Sequence, residues 1–173
     1  MKKLFSLIVF SLSVFFAAAQ TDAKVAYFFG DRFSISIPGD VNSMTNAQVE
    51  AKYHKSKDAT TNFYGDADMS FSIVFSEVAN NVKEDDMVKH KTELLAGIKA
   101  KYTLKKEEVR IINNHKVIIV SFFSDVPDGK VLNEKIFAVA NGKLVAVTFN
   151  STEAELEKRN PQIEASINSI VIK

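Results

Sequence analysis

The chain has 173 residues, with 22 lysines and arginines against 21 aspartates and glutamates, three histidines and no cysteine. Such a balanced charge excludes a nucleic-acid binder, which needs a basic field, and argues against electrostatic docking on anionic lipid. The missing thiols exclude cysteine catalysis, cysteine-ligated zinc, iron–sulfur clusters and disulfides.

The chain opens as an export signal. Lys2 and Lys3 form a positive n-region, and Leu4 to Phe16 is apolar apart from Ser6, Ser11 and Ser13. Ala17-Ala18-Ala19 then supplies the small-x-small pattern of a signal-peptidase site. Cleavage is expected between Ala19 and Gln20, which removes two lysines and no acid and takes the formal charge from +1 to −1. The apolar run is shorter than the roughly 20 residues of a membrane span. No cysteine follows the cleavage point, so no lipoprotein anchor is expected, and no later stretch is long and apolar enough to span. The expectation is an exported protein, periplasmic or extracellular, with residues 1–19 as signal peptide and 20–173 as one α+β domain.

Phe33-Ser34-Ile35-Ser36-Ile37 alternates strictly and stops at Pro38-Gly39-Asp40, which reads as a half-buried strand. Gln48 to His54 is a second strand candidate, with Val49, Ala51 and Tyr53 on one face. Phe63-Tyr64 belongs to a short strand or loop before Gly65. Met69 to Val78 alternates clearly. A helix is then expected up to Tyr102, capped by Asn81 with Glu84 three positions on. Its apolar face is Met87, Val88, Leu94, Leu95, Ile98 and Tyr102, bordered by Gly97 for close packing on a sheet. Asp85 and Lys89 are spaced for an i,i+4 pair.

Four strands follow, roughly Glu108–Ile112, Lys116–Ser124, Lys130–Ala140 and Lys143–Asn150. Their joints, Asn113-Asn114-His115, Pro127-Asp128-Gly129 and Asn141-Gly142, are short enough to force an antiparallel meander. Val117 to Val120 and Leu144 to Val147 are apolar on both faces, so the sheet is expected to be covered on both faces, or on one with an internal pocket. Thr152 with Glu155 reads as a capping box, Asn160-Pro161 as a helix restart, and Ser169 to Lys173 as a last short strand. The fold class is α+β, a largely antiparallel sheet with helices on its faces.

Three stretches carry a family resemblance: Arg32-Phe33-Ser34-Ile35-Ser36-Ile37-Pro38, the helix ending near Tyr102, and Ile167-Asn168-Ser169-Ile170-Val171-Ile172. In these the chain resembles the PsbP-like superfamily. That superfamily spans an extrinsic photosystem II subunit, a Ran-binding transport factor and many exported bacterial proteins. Gly39-Asp40-Val41 stands where that family often carries an aromatic. The resemblance implies an α/β/α sandwich and work by binding; it transfers no residue roles.

No catalytic motif is present: neither Gly-x-Ser-x-Gly, nor a P-loop, nor a dinucleotide glycine pattern. His54, His90 and His115 lack a second histidine at i+3 or i+4. His115 is expected in a solvated turn, and His90 in a surface pair with Asp86. Asp66-Ala67-Asp68 resembles the start of a calcium loop, but the later oxygen ligands are missing. Glu84-Asp85-Asp86 complements a helix dipole, and Asn150-Ser151-Thr152, a glycosylation sequon, is read as a helix start. Lys91 falls mid-face on the apolar side of its helix. Either it snorkels to water, or it stands at a pocket rim facing an anionic ligand, which makes it the one candidate ligand-binding residue. No catalytic, metal or cofactor residue is assigned.

The function expected is an exported, non-catalytic binding or accessory protein of the cell envelope, its partner an envelope protein or an apolar small molecule. The alternatives are a small-molecule or lipid carrier with an apolar pocket, a cofactor-free hydrolase using acidic residues, and a structural envelope component.

Overall fold

The computed structural model describes residues 23–54, 56–57, 60–127 and 129–173. The expected signal peptide, its Ala19–Gln20 cleavage point and Asp128 of the Pro127-Asp128-Gly129 turn lie outside the described residues.

A large antiparallel sheet is built from β3 (Asn42–Ser43), β4 (Thr61–Gly65), β5 (Phe71–Asn80), β6 (Leu104–Ile112), β7 (His115–Val126), β8 (Gly129–Ala140) and β9 (Lys143–Thr152). Its spatial order is β3–β4–β5–β9–β8–β7–β6, so the four-strand meander stands as expected, with β9 docked against β5. Two of its hairpins close through left-handed asparagines. Asn113 and Asn114 have φ 47° and 69°, and Asn141 and Gly142 have φ 49° and 75°, the conformation that matches strand twist in a two-residue turn. A second sheet holds β2 (Phe33–Ile37) between β1 (Lys24–Phe28) and β10 (Val171–Ile172), both antiparallel to it.

Period-two patterning puts Phe33, Ile35 and Ile37 of β2 on the inner face of the large sheet. There they meet Phe71, Ile73 and Phe75 of β5, Val147 and Phe149 of β9, and Ile163 and Ile167 of α4 (Leu156–Asn168). The opposite face is covered in two places. At the β7–β9 end, α2 (Glu84–Lys89) and α3 (Lys91–Lys99) press Met87 and Leu95 onto Ile118, Val120, Phe137 and Ala146. At the β4 end, α1 (Asn46–Tyr53) lays Val49 on Met44 and Phe63. Helices thus lie on both faces, and the small sheet shares the layer of α4.

Several local expectations are corrected. Residues 48–54 are helical, because Thr45 and Gln48 form a complete capping box: the Thr45 side chain accepts from the Gln48 N–H, and Gln48 Oε1 accepts from the Thr45 N–H at 2.8 Å. The alternation of Val49, Ala51 and Tyr53 is incidental. Thr45→Ala is expected to cost about 1 kcal/mol, read as a lowered urea midpoint at unchanged slope.

The single helix expected before the meander is two, broken at His90. Asn81 cannot cap it, since Asn81 is left-handed at φ 59° and the helix starts three residues beyond, at Glu84, with Lys83 at the N-cap position. Asp85 accepts from Lys116 of β7 at 2.7 Å instead of pairing with Lys89. Gly97 faces open space, with nothing within 4 Å of a would-be Cβ, so no close approach depends on it. Thr152 makes no side-chain cap bond; it ends β9, and α4 follows through the 3₁₀ turn Glu153–Glu155. Pro161 therefore lies inside α4 and does not start it. Its missing N–H leaves the carbonyl four residues back without a helical donor.

Candidate ligand-binding cleft

Between α1 and the α2–α3 pair, a strip of the large sheet carries no helix. Strand register builds its floor in rows. Val74, Thr148, Lys135 and Val120 stand side by side across β5, β9, β8 and β7. The next row is Ser72, Asn150, Asn133 and Phe122, and on the other side come Ser76, Ala146, Phe137 and Ile118. The face is apolar under α2–α3 and turns polar as the strands leave that cover. Val74, Ser76, Lys135, Thr148 and Asn150 of this floor, together with Tyr53, Thr61 and Phe63, line a cleft of about 240 Å³.

Hydrogen bonds fix one wall. Tyr53, the last residue of α1, shares a proton with Ser72 Oγ at 2.8 Å, and Asn150 Nδ2 lies 3.4 Å from the Tyr53 hydroxyl. Burial raises the Tyr53 hydroxyl above its ordinary pKa, against the pull of those two bonds. Asn133 donates to Ser124 Oγ at 2.9 Å and holds the floor toward β7.

Lys135 is the exception. Its ammonium sits 5.6 Å from the centroid of the Phe137 ring, a cation–π contact, and among the described residues no aspartate or glutamate lines the cleft. Desolvation alone pushes its pKa down. A lysine lowered in this way holds fewer protons folded than unfolded, so stability should rise with pH between the lowered value and the ordinary lysine value. Lys135→Met is expected to raise the neutral-pH urea midpoint and to reduce that rise, the remainder coming from Lys52, which burial also lowers, as read from denaturation between pH 7 and 10.5.

Two further concavities flank the fold. One, of about 260 Å³, is mostly apolar and opens beside α2–α3 on Val82, Met87, Leu94 and Leu144, with His90 and Glu93 among its lining. The other, of about 280 Å³, is lined by Asp40, Asp66, Asp68, Glu155, Lys158 and Arg159. Its carboxylates converge on Arg159, which is buried and 2.7 Å from Asp66 and 3.0 Å from Asp40. Asp66 also accepts from the Phe71 N–H and the Ser70 hydroxyl, each at 3.0 Å. With three donors already on Asp66, the arrangement works as a cross-brace between α4 and the β4–β5 loop and has no free acid–base pair.

The residues singled out from sequence are scattered. Lys91 is half-buried, and its ammonium lies 2.7 Å from Glu107, a carboxylate shared with Lys99 at 2.8 Å; it lines none of the three concavities described. His90 is 3.8 Å from Glu93, not paired with Asp86, and both side chains are exposed. His115 is the first residue of β7, not a turn residue, and its Nδ1 is 3.1 Å from Glu84. Asn150-Ser151-Thr152 lies within β9, where Asn150 is buried, so the sequon marks a strand, not a helix start. Among the described residues no three His, Asp or Glu side chains group as a metal site. Lys135, Tyr53, Ser72 and Thr148 were not singled out. Their signal is a switch from apolar to polar at alternate positions of β8 and β9, and it becomes legible only once the register pairs Lys135 with Thr148.

No protein-family model matches the chain, and no curated protein sequence matches it. Solved structures do. The chain is similar to cyanobacterial PsbP (CyanoP) from Synechocystis sp. PCC 6803, with TM-score 0.57 and 10% identity over 88% of this chain and 94% of that one. It is similar to a Bacteroides thetaiotaomicron VPI-5482 protein, with TM-score 0.58 and 11% identity over 89% of this chain and 49% of that one, so it spans about half of that protein. It is also similar to the Saccharomyces cerevisiae Ran-binding protein Mog1p, with TM-score 0.52 and 11% identity over 88% and 96%. At these identities the likeness is one of fold.

Proposed function

We propose, from the PsbP-like fold of this chain, that it is an exported, non-catalytic binding protein of the cell envelope whose ligand seats on the bare strip of the large sheet. The observation that carries this reading is the cleft around Lys135: a partly desolvated cation and a row of hydroxyl and amide groups, on a sheet face that is otherwise under helices. Three features support it. The first 19 residues have the order of a cleavable signal peptide. No helix among the described residues is long and apolar enough to cross a membrane. A neighbour in fold, Mog1p, is itself a Ran-binding protein, which favours binding as the work of this architecture.

The test is native mass spectrometry of the protein purified gently from its own envelope fraction. The expected result is an N-terminus at Gln20 and a mass excess over the bare 20–173 chain that disappears on denaturation. An uncleaved chain found in the cytosol counts against export. A bare mass from every preparation counts against a small ligand and turns the reading toward an accessory protein, to be pursued by crosslinking in the envelope.

A further inference from the structure

The cleft holds a cation, Lys135, that no carboxylate among the described residues pairs with. Every other half-buried lysine among the described residues reaches an oxygen. Lys91, Lys106, Lys116 and Lys143 pair with carboxylates at 2.7–3.1 Å, and Lys52 and Lys57 donate to the carbonyls of Met69 and Met44. Lys135 has only the Phe137 ring, at 5.6 Å. A cation taken partly out of water without a partner costs free energy, and no described residue of the chain supplies the partner that would offset this cost. On this ground, and resting on the binding reading above, we infer that the cleft takes a small amphipathic monocarboxylate, its carboxylate on Lys135.

The surroundings select that class. Thr148 stands beside Lys135 on β9, and Ser76 is among the lining residues, so hydroxyl donors are at hand for a carboxylate's remaining lone pairs. Phe63 and Val74 line the same cleft and supply an apolar wall for a short hydrocarbon tail. The volume, about 240 Å³, falls below the ~300–1,000 Å³ of sites for drug-sized ligands, which sets the tail short. A dianion such as phosphate fits poorly. Among the described residues the lining holds one cation and no arginine, and phosphate sites favour helix N-termini and bidentate arginine. The helix that borders this cleft does so through its last residue, Tyr53, and the negative end of a helix dipole opposes a dianion more strongly than a monoanion.

The test is titration of the ¹⁵N-labelled protein, as purified from cells, with sodium hexanoate, hexan-1-ol and inorganic phosphate, followed by amide chemical shifts. Hexanoate is expected to shift the amides of Ser76, Lys135, Thr148 and Asn150 saturably. Hexanol and phosphate should each bind at least tenfold more weakly, and Lys135→Met should weaken hexanoate at least tenfold. Lys135→Gln, which keeps a polar side chain without the charge, should weaken it comparably. The undisturbed amide spectrum of each variant shows that it is folded. Hexanoate bound equally well by Lys135→Met, or no better than hexanol, overturns the carboxylate assignment and leaves the cleft a binding site for neutral molecules. Phosphate bound tighter than hexanoate at the same amides overturns it in favour of an inorganic anion. No saturable shift with any probe, together with a bare mass in native spectrometry, overturns this assignment and the small-ligand reading together.

Discussion

Arg159→Ala is expected to cost about 3–5 kcal/mol, the scale for removing one partner of a buried ion pair. Arg159 is 1% exposed and heads the fully buried side chains by volume. Its Nη2 is 2.7 Å from Asp66, its Nη1 donates to Asp40 at 3.1 Å and to Gln162 at 2.9 Å, and its guanidinium carbon lies 4.6 Å from the Phe71 ring centroid. Truncation removes the stacked plane and leaves the buried Asp66 carboxylate without its cation. Because the loss comes largely from the abandoned partner, the double variant Arg159→Met with Asp66→Asn should recover more than half of it. Urea denaturation of the parent protein and these two variants reads this directly. A single-variant cost below about 1 kcal/mol, on the scale of an exposed pair, would show that the cross-brace does not hold α4 in place.

Phe75→Ala should be comparably damaging, about 3–5 kcal/mol for a fully buried phenylalanine. Phe75 is stacked on Phe28 of β1, with ring centroids 3.6 Å apart and planes 17° from parallel, and Tyr64 meets it edge-on at 5.8 Å. It joins the small sheet to the large one. A double-mutant cycle with Phe28→Leu is expected to give a coupling of about 0.5–1.5 kcal/mol beyond the area lost. Ile111→Ala, at a β6 position that is 70% exposed, should stay within about 0.5 kcal/mol and serves as the control. Equal losses at both positions would contradict the packing described.

What was legible in the sequence follows the range of the interactions involved. The Asn141-Gly142 hairpin, the meander and the inward face of Phe33, Ile35 and Ile37 depend on neighbours a few residues apart, and all stand in the structure. Helix α1 was misread because alternation and helical spacing coincide over so short a run; the deciding signal was the Thr45–Gln48 box, also local but overlooked. The break at His90 and the inclusion of Pro161 inside α4 leave no turn residue to announce them. The cleft was illegible for a different reason. Tyr53, Ser76, Lys135 and Thr148 come from four elements, and only the register of β5, β9 and β8 sets them together. Lys91 drew attention because its helical angle could be computed from sequence, whereas its partner Glu107 lies on another element.

The small sheet bears on how the chain reaches this state. Its central strand β2 is zipped on one edge to β1, nine residues upstream, and on the other to β10, with Val171 paired to Ser34 and Ile172 to Phe33. A chain that emerges N-terminus first therefore keeps one edge of β2 open until Val171 and Ile172 arrive. Pairings so far apart in sequence close late, because the intervening loop must first be ordered. Until then the bare edge of β2 is a template for another strand, so the interval between emergence and closure is when this chain most needs shielding from its own copies.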